Sequence, residues 1–341
     1  MPAPAVAIRA TGLVTSVGLS APAACAAMRA KLSNPSETRF IDSGGDWIIG
    51  HAVPLEPPWR GLAKLSRMAA LAIEECLQGV PRDAWSALPL LLCVAERERP
   101  GRFDGLDERL FIDIATALDA RFAPTSRVIA QGRVSVAVAL AHARRLIHEQ
   151  NAPRVLIAAA DTLLTWPTLA HYERNDRLLT AHNSNGFMPG EGAGALLIEA
   201  PAGGAELVCS GIGFGVETAH IDSGEPLRAD GLTAAIKAAL ADAGIEMHDL
   251  DFRITDIAGE QYYFKEAALA LSRTLRKRKE EFDLWHPAES TGESGAVAGI
   301  AILGLADAAC RNGYAPGPGV LAHLAADAGA RAAIALRFEA R

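Results

Sequence analysis

The sequence predicts a layered α/β fold made of two related halves, and three observations carry that expectation. Strand-length apolar runs alternate with helical spacings along the chain, and the alternation restarts after position 200. Half of the residues are hydrophobic while only 6% are aromatic, so Ala, Val, Leu and Ile must fill the interior, as where helices pack on mainly parallel sheets. At 341 residues the chain exceeds one small core and suits two fused halves, 1-200 and 201-341.

In the first half, Val6-Ala7-Ile8 opens a strand that leads into a glycine-punctuated loop over 11-18, and a helix follows from Ser20 to Leu32. The Pro, Gly, Ser and Asp content of 33-58 predicts a loop excursion with one short strand at Trp47-Ile48-Ile49. Leu65, Met68, Ala69, Ala72, Ile73 and Cys76 share a helical face, and Leu88 to Ala95 has the length of a buried strand. A loop over 96-109 precedes a helix from Leu110 to Ala120 and a very short strand, Arg127-Val128-Ile129-Ala130. Directly after it, Gly132 to Gln150 reads as a long helix, so strand and helix meet at Gln131. Arg154 to Ala160 is a further strand, 165-179 contains a helix, and Gly194 to Glu199 closes the half as a strand.

The second half repeats the plan. Ala205 to Gly213 echoes the opening strand, and 232-244 and 267-279 have helical spacing on either side of a strand from Phe252 to Asp256. An apolar helix from Gly295 to Arg311 and strands at 319-324 and 332-338 complete the chain.

The net charge of -7 is spread along the chain without a basic arm or acidic tail, which argues against nucleic acid as a partner. Five cysteines stand singly with no CxxC spacing, so neither a disulfide framework nor a zinc site is expected, and a reducing cytoplasm fits. Arg9 interrupts the apolar start, no basic segment precedes it, and no run reaches the ~20 apolar residues of a membrane span. The expectation is a soluble protein. Glycines 190-194 precede a strand rather than open a helix, so they do not read as a phosphate cradle.

Three segments carry a family resemblance: Gly12-Leu13-Val14-Thr15-Ser16-Val17-Gly18, the step Ala130-Gln131-Gly132, and the string from Gly186 to Glu199 with its GEGAGALLIE core. In this order and spacing they resemble the β-ketoacyl synthase branch of the thiolase fold. That resemblance implies a five-layer αβαβα arrangement of two related halves, dimerised through the first half. It also implies a cysteine nucleophile at the elbow and two histidines on separate loops of the second half.

Those positions hold other residues. Condensation needs a thiolate to carry an acyl chain as a thioester, and a glutamine amide at position 131 cannot attack one. The first loop, Asp256 to Tyr263, contains Glu260 and no histidine; the second, Ser290 to Ala296, places Glu293 after its glycine where the resemblance implies histidine. An ionised Glu293 would repel a developing enolate, and only a protonated acid could donate to it. The segment Ala325 to Arg331 also lacks the phenylalanine and paired glycines that such enzymes place beside the nucleophile.

Gln131, Glu260 and Glu293 are therefore candidates for a vestigial site. Gln131 is expected to cap its helix or fill the former thiol pocket, and the two glutamates to form surface or loop salt bridges rather than a metal site. His142 and His148 lie six apart, which is not ligand spacing on a helix; His286 is the only histidine near the second loop; Cys25 and Cys310 read as buried thiols. The run Arg273 to Lys279 reads as a solvated helix end, with an acidic acyl carrier protein as its alternative use.

No cofactor and no metal are expected. The leading expectation is an inactive accessory or adaptor protein, a homodimer or a heterodimer with a related subunit. The Asp-x-x-Gly-Glu-x-Tyr pattern at Asp256 to Tyr262 and the Thr-Gly-Glu-Ser-Gly-Ala pattern at Thr291 to Ala296 are similar to thiolase-like proteins of type VI secretion loci, which makes a secretion-system protein a candidate partner. The alternative is the glutamine-bearing partner subunit, or malonyl decarboxylase, of a polyketide or fatty-acid synthase system, with an acyl carrier protein as partner.

Overall fold

The computed structural model describes residues 4-340. The first half runs β1 (Val6–Val14), α1 (Ala21–Arg29), β2 (Ser36–Ile41), β3 (Trp47–Gly50), α2 (Gly61–Cys76), β4 (Leu90–Val94), α3 (Arg109–Ala117), β5 (Arg127–Ala130), α4 (Ser135–His148), β6 (Arg154–Thr162), α5 (Trp166–Arg174) and β7 (Glu191–Glu199). The second runs β8 (Glu206–Val216), α6 (Asp230–Ala243), β9 (Phe252–Thr255), α7 (Gln261–Thr274), β10 (Leu284–Trp285), α8 (Ala288–Thr291), α9 (Ala298–Arg311), β11 (Gly319–Ala325) and β12 (Ala330–Glu339).

Ten strands pair in the order β10-β9-β11-β12-β8-β1-β7-β6-β4-β5. Only Val6, Ala7 and Ile8 of β1, facing Cys209, Val208 and Leu207 of β8, join the two halves of this ladder. Each half repeats one topology. Its outer strands are parallel (β5-β4-β6 and β10-β9-β11) and its inner strands antiparallel (β6-β7-β1 and β11-β12-β8). The expected mainly parallel sheets are thus mixed. The short turn between β11 and β12 illustrates why: a connection without a crossover can join only antiparallel neighbours.

Burial separates five layers. Buried residues of α2 and α3 form one cluster with an outer face of the first half-sheet, and those of α6 cluster with β11 and β12 on the other side. Between the half-sheets lie α4 and α9, whose Ala, Val, Ile and Leu side chains form the largest cluster with α1 and strands of both halves. Small side chains allow two sheets to share one helical layer, as the low aromatic content implied.

Several boundaries differ from the sequence reading. β1 continues to Val14, because Leu13 and Val14 stay paired with Gly194 and Ala193 of β7, so the opening glycine motif is strand as well as loop. The excursion contains a hairpin, β2 with β3, rather than one strand; β2 is mostly exposed and has no apolar run to announce it. Helix α7 starts at Gln261 rather than position 267 and ends at Thr274, so only the start of the expected first loop is loop.

Candidate functional site

Two elbows face each other at the centre. After β5, Gln131 (φ -126°, ψ 16°) and Gly132 open a single 3₁₀ turn, Gly132–Val134, that feeds α4. In the second half Ser294 (φ -112°, ψ 16°) and Gly295 open the turn Gly295–Val297 that feeds α9. The matching glycines have φ of +52° and +60°, a region that disfavours side chains. Space forbids them too: a Cβ would lie 2.0 Å from Glu96 Oε2 at Gly132 and 2.1 Å from Asp161 Oδ2 at Gly295. The glycines make room for carboxylates.

Three buried arginines of the first half organise those carboxylates. Arg99 donates from Nη1 to both oxygens of Asp161 at 2.8 Å and from Nη2 to Glu96 at 2.7 Å. Arg133, in the first elbow, lies 3.2 Å from Glu293 and also pairs with Asp327, while its Nη2 is 3.1 Å from the Tyr263 hydroxyl. Arg177 grips Glu260 with two bonds, Nε at 2.7 Å and Nη2 at 2.8 Å, and reaches Asp327 from Nη1 at 2.8 Å. Tyr172 and Tyr263 also donate to Asp327, at 3.1 and 2.5 Å. Asp161 accepts the Ala296 N–H at 2.8 Å, so a first-half carboxylate satisfies a donor of the second elbow. Arginine suits this place because its rigid fork meets carboxylates two bonds at a time.

Burial and charge set the protonation pattern. Burial raises the Glu293 carboxyl to about 7 against the opposing pull of Arg133. Glu260 and Asp256 are also raised by burial, against Arg177 and Arg133 respectively. Burial acts on Asp327 in the same sense, but Arg133 and Arg177 overcome it and hold that carboxyl well below the usual range.

The expected site residues separate here. Glu260 and Glu293 are buried and joined through Arg177, Asp327 and Arg133, so their salt bridges lie in the interior and not at the surface, because both loops pack against first-half arginines. Gln131 borders the same cleft as Asp327 but is exposed, and its side chain neither caps the turn nor fills a pocket. Its own N–H donates to Ser135 Oγ at 3.0 Å. The Gln131 side chain lines an open cleft of about 950 Å³ with His142, His171, His220 and Arg127. Beside Glu293 the free space is about 10 Å³, lined by Thr255, Asp256, Thr291 and Ser294, which admits at most about one water. No acyl group fits there.

Sequence reasoning missed the arginines, whose partners other than Glu96 are 62 to 194 positions distant, and it missed two buried histidines. His51 packs behind the second loop, where a Cβ at Gly292 would lie 2.7 Å from its ring; its Nδ1 is 3.3 Å from Ser16 Oγ. Burial lowers His51 to about 4 and His323 to about 3, so both imidazoles are neutral. His286 sits against Glu289 at 3.1 Å and lines a different cavity. All five thiols are free; Cys25 and Cys209 are pushed up to about 12 and Cys310 to about 11 by burial, so none supplies a thiolate near neutral pH. Among the described residues no group of His, Cys, Asp and Glu has metal-holding geometry, and no helix is long and apolar enough to cross a membrane.

No protein-family model matches the chain, and no curated protein matches it. Solved structures do. The ishigamide ketosynthase/chain length factor is 19% identical with a TM-score of 0.81, over 98% of this chain and 99% of that one. A type II PKS acyl-carrier protein in complex with its ketosynthase gives 15% and 0.80, over 99% and 100%. A β-ketoacyl synthase from Burkholderia phymatum STM815 gives 16% and 0.75, over 99% and 100%. At these identities the likeness establishes the fold, which is that of the thiolase-fold ketosynthases.

Proposed function

We propose that this protein is a non-condensing relative of the β-ketoacyl synthases that acts as a binding or accessory subunit. One observation carries the reading. Where the resemblance implies a thiolate between two imidazoles, Arg133, Arg177, Glu260, Glu293 and Asp327 bond to one another, supply no nucleophile and leave no space for an acyl chain beside Glu293. In this reading Gln131, Glu260 and Glu293 mark a vestigial site whose two glutamates now tie the halves together.

What remains available is surface. Strand β5 is a sheet edge, and the apolar side chains nearby continue it: Val138 lines the same cleft as β5, and it shares a second groove with Phe214. Phe214 is 45% and Val216 72% exposed at the end of β8. An unpaired edge beside exposed apolar side chains is a pairing surface. We place a second copy or a related subunit there. The two sequence patterns at Asp256 and Thr291 support an adaptor role in a type VI secretion setting, in the cytoplasm, where free thiols persist.

A second reading is favoured by Gln131 itself, whose amide is free in the cleft, and by similarity to a ketosynthase/chain length factor. The chain would then be the glutamine-bearing partner of an active synthase, with an acyl carrier protein docking on the pair. Native mass spectrometry of the purified protein and of a Phe214→Asp, Val216→Asp double variant tests the pairing surface. A dimer that the double variant turns into a folded monomer supports it. A wild-type monomer that stays monomeric with an added synthase subunit overturns both readings.

A further inference from the structure

A second cavity lies at the opposite edge of the ladder, where β10 meets α1 and the end of α9. Its volume is about 440 Å³, within the range of small-molecule sites. Met28 and Leu305 form a buried apolar floor. Trp285 and Tyr314 supply near-parallel rings, 16° apart with centroids at 6.4 Å. Trp285 is held from behind by Phe252 at 4.7 Å, so this wall is rigid.

The rim charges are unequal in their commitments. Glu289 is engaged by His286 at 3.1 Å. Arg29 sits over the Tyr314 ring at 4.3 Å, which fixes its guanidinium at the mouth, and neither Arg29 nor Lys31 has an ion-pair partner among the described residues. Asp283, the remaining acid, lies within electrostatic reach of the Arg253 guanidinium, which offsets its charge. The uncommitted charge is therefore positive and stands above an aromatic, apolar chamber.

We propose that this cavity binds a small planar aromatic anion, its ring against Trp285 and Tyr314 and its carboxylate at Arg29 and Lys31. Such a ligand buries its ring on Met28 and Leu305 and keeps its charge at the solvent edge, so no uncompensated ion is buried. The proposal is independent of the ion network at the elbows.

Isothermal titration calorimetry with 2-naphthoate as the probe, and 2-naphthylmethylammonium as its charge-reversed control, tests this. Naphthoate is expected to bind once per chain, the ammonium not at all, and an Arg29→Gln, Lys31→Gln double variant to bind naphthoate about tenfold more weakly. Both substituted residues are exposed, so folding is not at risk, and Tyr314→Leu supplies a second variant that removes the ring wall. Absence of saturable naphthoate binding at millimolar concentration, equal binding by the double variant, or tighter binding of the ammonium would each overturn the proposal.

Discussion

Arg133 Nη1 lies 3.2 Å from Glu293 Oε2, and this pair ties the turn that opens α4 to the loop that opens α9. The same guanidinium pairs with Asp327, which Arg177 shares, so first-half arginines hold second-half carboxylates at the one place where the central helices begin.

Removing Arg133 tests how much the fold depends on that network. Arg133→Met leaves Glu293 and Asp327 buried with less countercharge, and breaking one side of a buried pair costs about 3–5 kcal/mol. Urea unfolding followed by circular dichroism should register that loss. A cost below about 1 kcal/mol would mean that the pairs are incidental to stability.

The pH dependence of stability follows from the raised Glu293 carboxyl. Its ordinary value of 4.5 becomes about 7 in the folded chain, so between these values the folded state keeps a proton that the unfolded state releases. Stability from this group is complete below pH 4.5 and is lost as pH rises to about 7. Asp327 acts in the opposite sense: its depressed value contributes stability above the unfolded value that fades as pH falls. Glu293→Gln should therefore gain on wild type as pH rises through this window, by at most about 3 kcal/mol at ~1.4 kcal/mol per unit. Melting temperatures of the two proteins across the window decide it, and a pH-independent difference counts against the assignment.

At Gly132 two costs add. Gly132→Ala strains a left-handed position and drives a methyl group into Glu96, whereas Gly244→Ala at φ +69° meets nothing within 4 Å. The Gly244 variant should cost about 1 kcal/mol and the Gly132 variant roughly 2–4 kcal/mol, since Glu96 must leave Arg99. Chemical denaturation of both variants makes the comparison; equal costs would remove the clash.

How much of this was legible depends on the range of the interactions. The strand Arg127–Ala130 and the elbow at Gln131 were readable, because a short apolar run, a glycine and a helical spacing lie side by side. That position 131 holds no cysteine and the two loops no histidine was readable on the same local terms. Their replacement was not: Arg99 finds Asp161 and Arg177 finds Glu260 only after the sheet brings them together, and neither pair leaves a spacing signal. His51 escaped notice because its burial against Gly292 is a property of packing. Gln131 was placed correctly in the chain, but its exposure was not foreseen, since the side the elbow turns to the open cleft is set by packing and not by local sequence.

The central claim is that this site neither condenses nor decarboxylates, and carbon dioxide release is its most direct test. The purified protein is incubated with malonyl-loaded acyl carrier protein, alongside Gln131→Ala. Release in both samples should equal the rate without protein, because burial keeps the thiols protonated and the loops that carry Glu260 and Glu293 contain no histidine. Release above that rate from wild type, abolished by Gln131→Ala, would contradict the account.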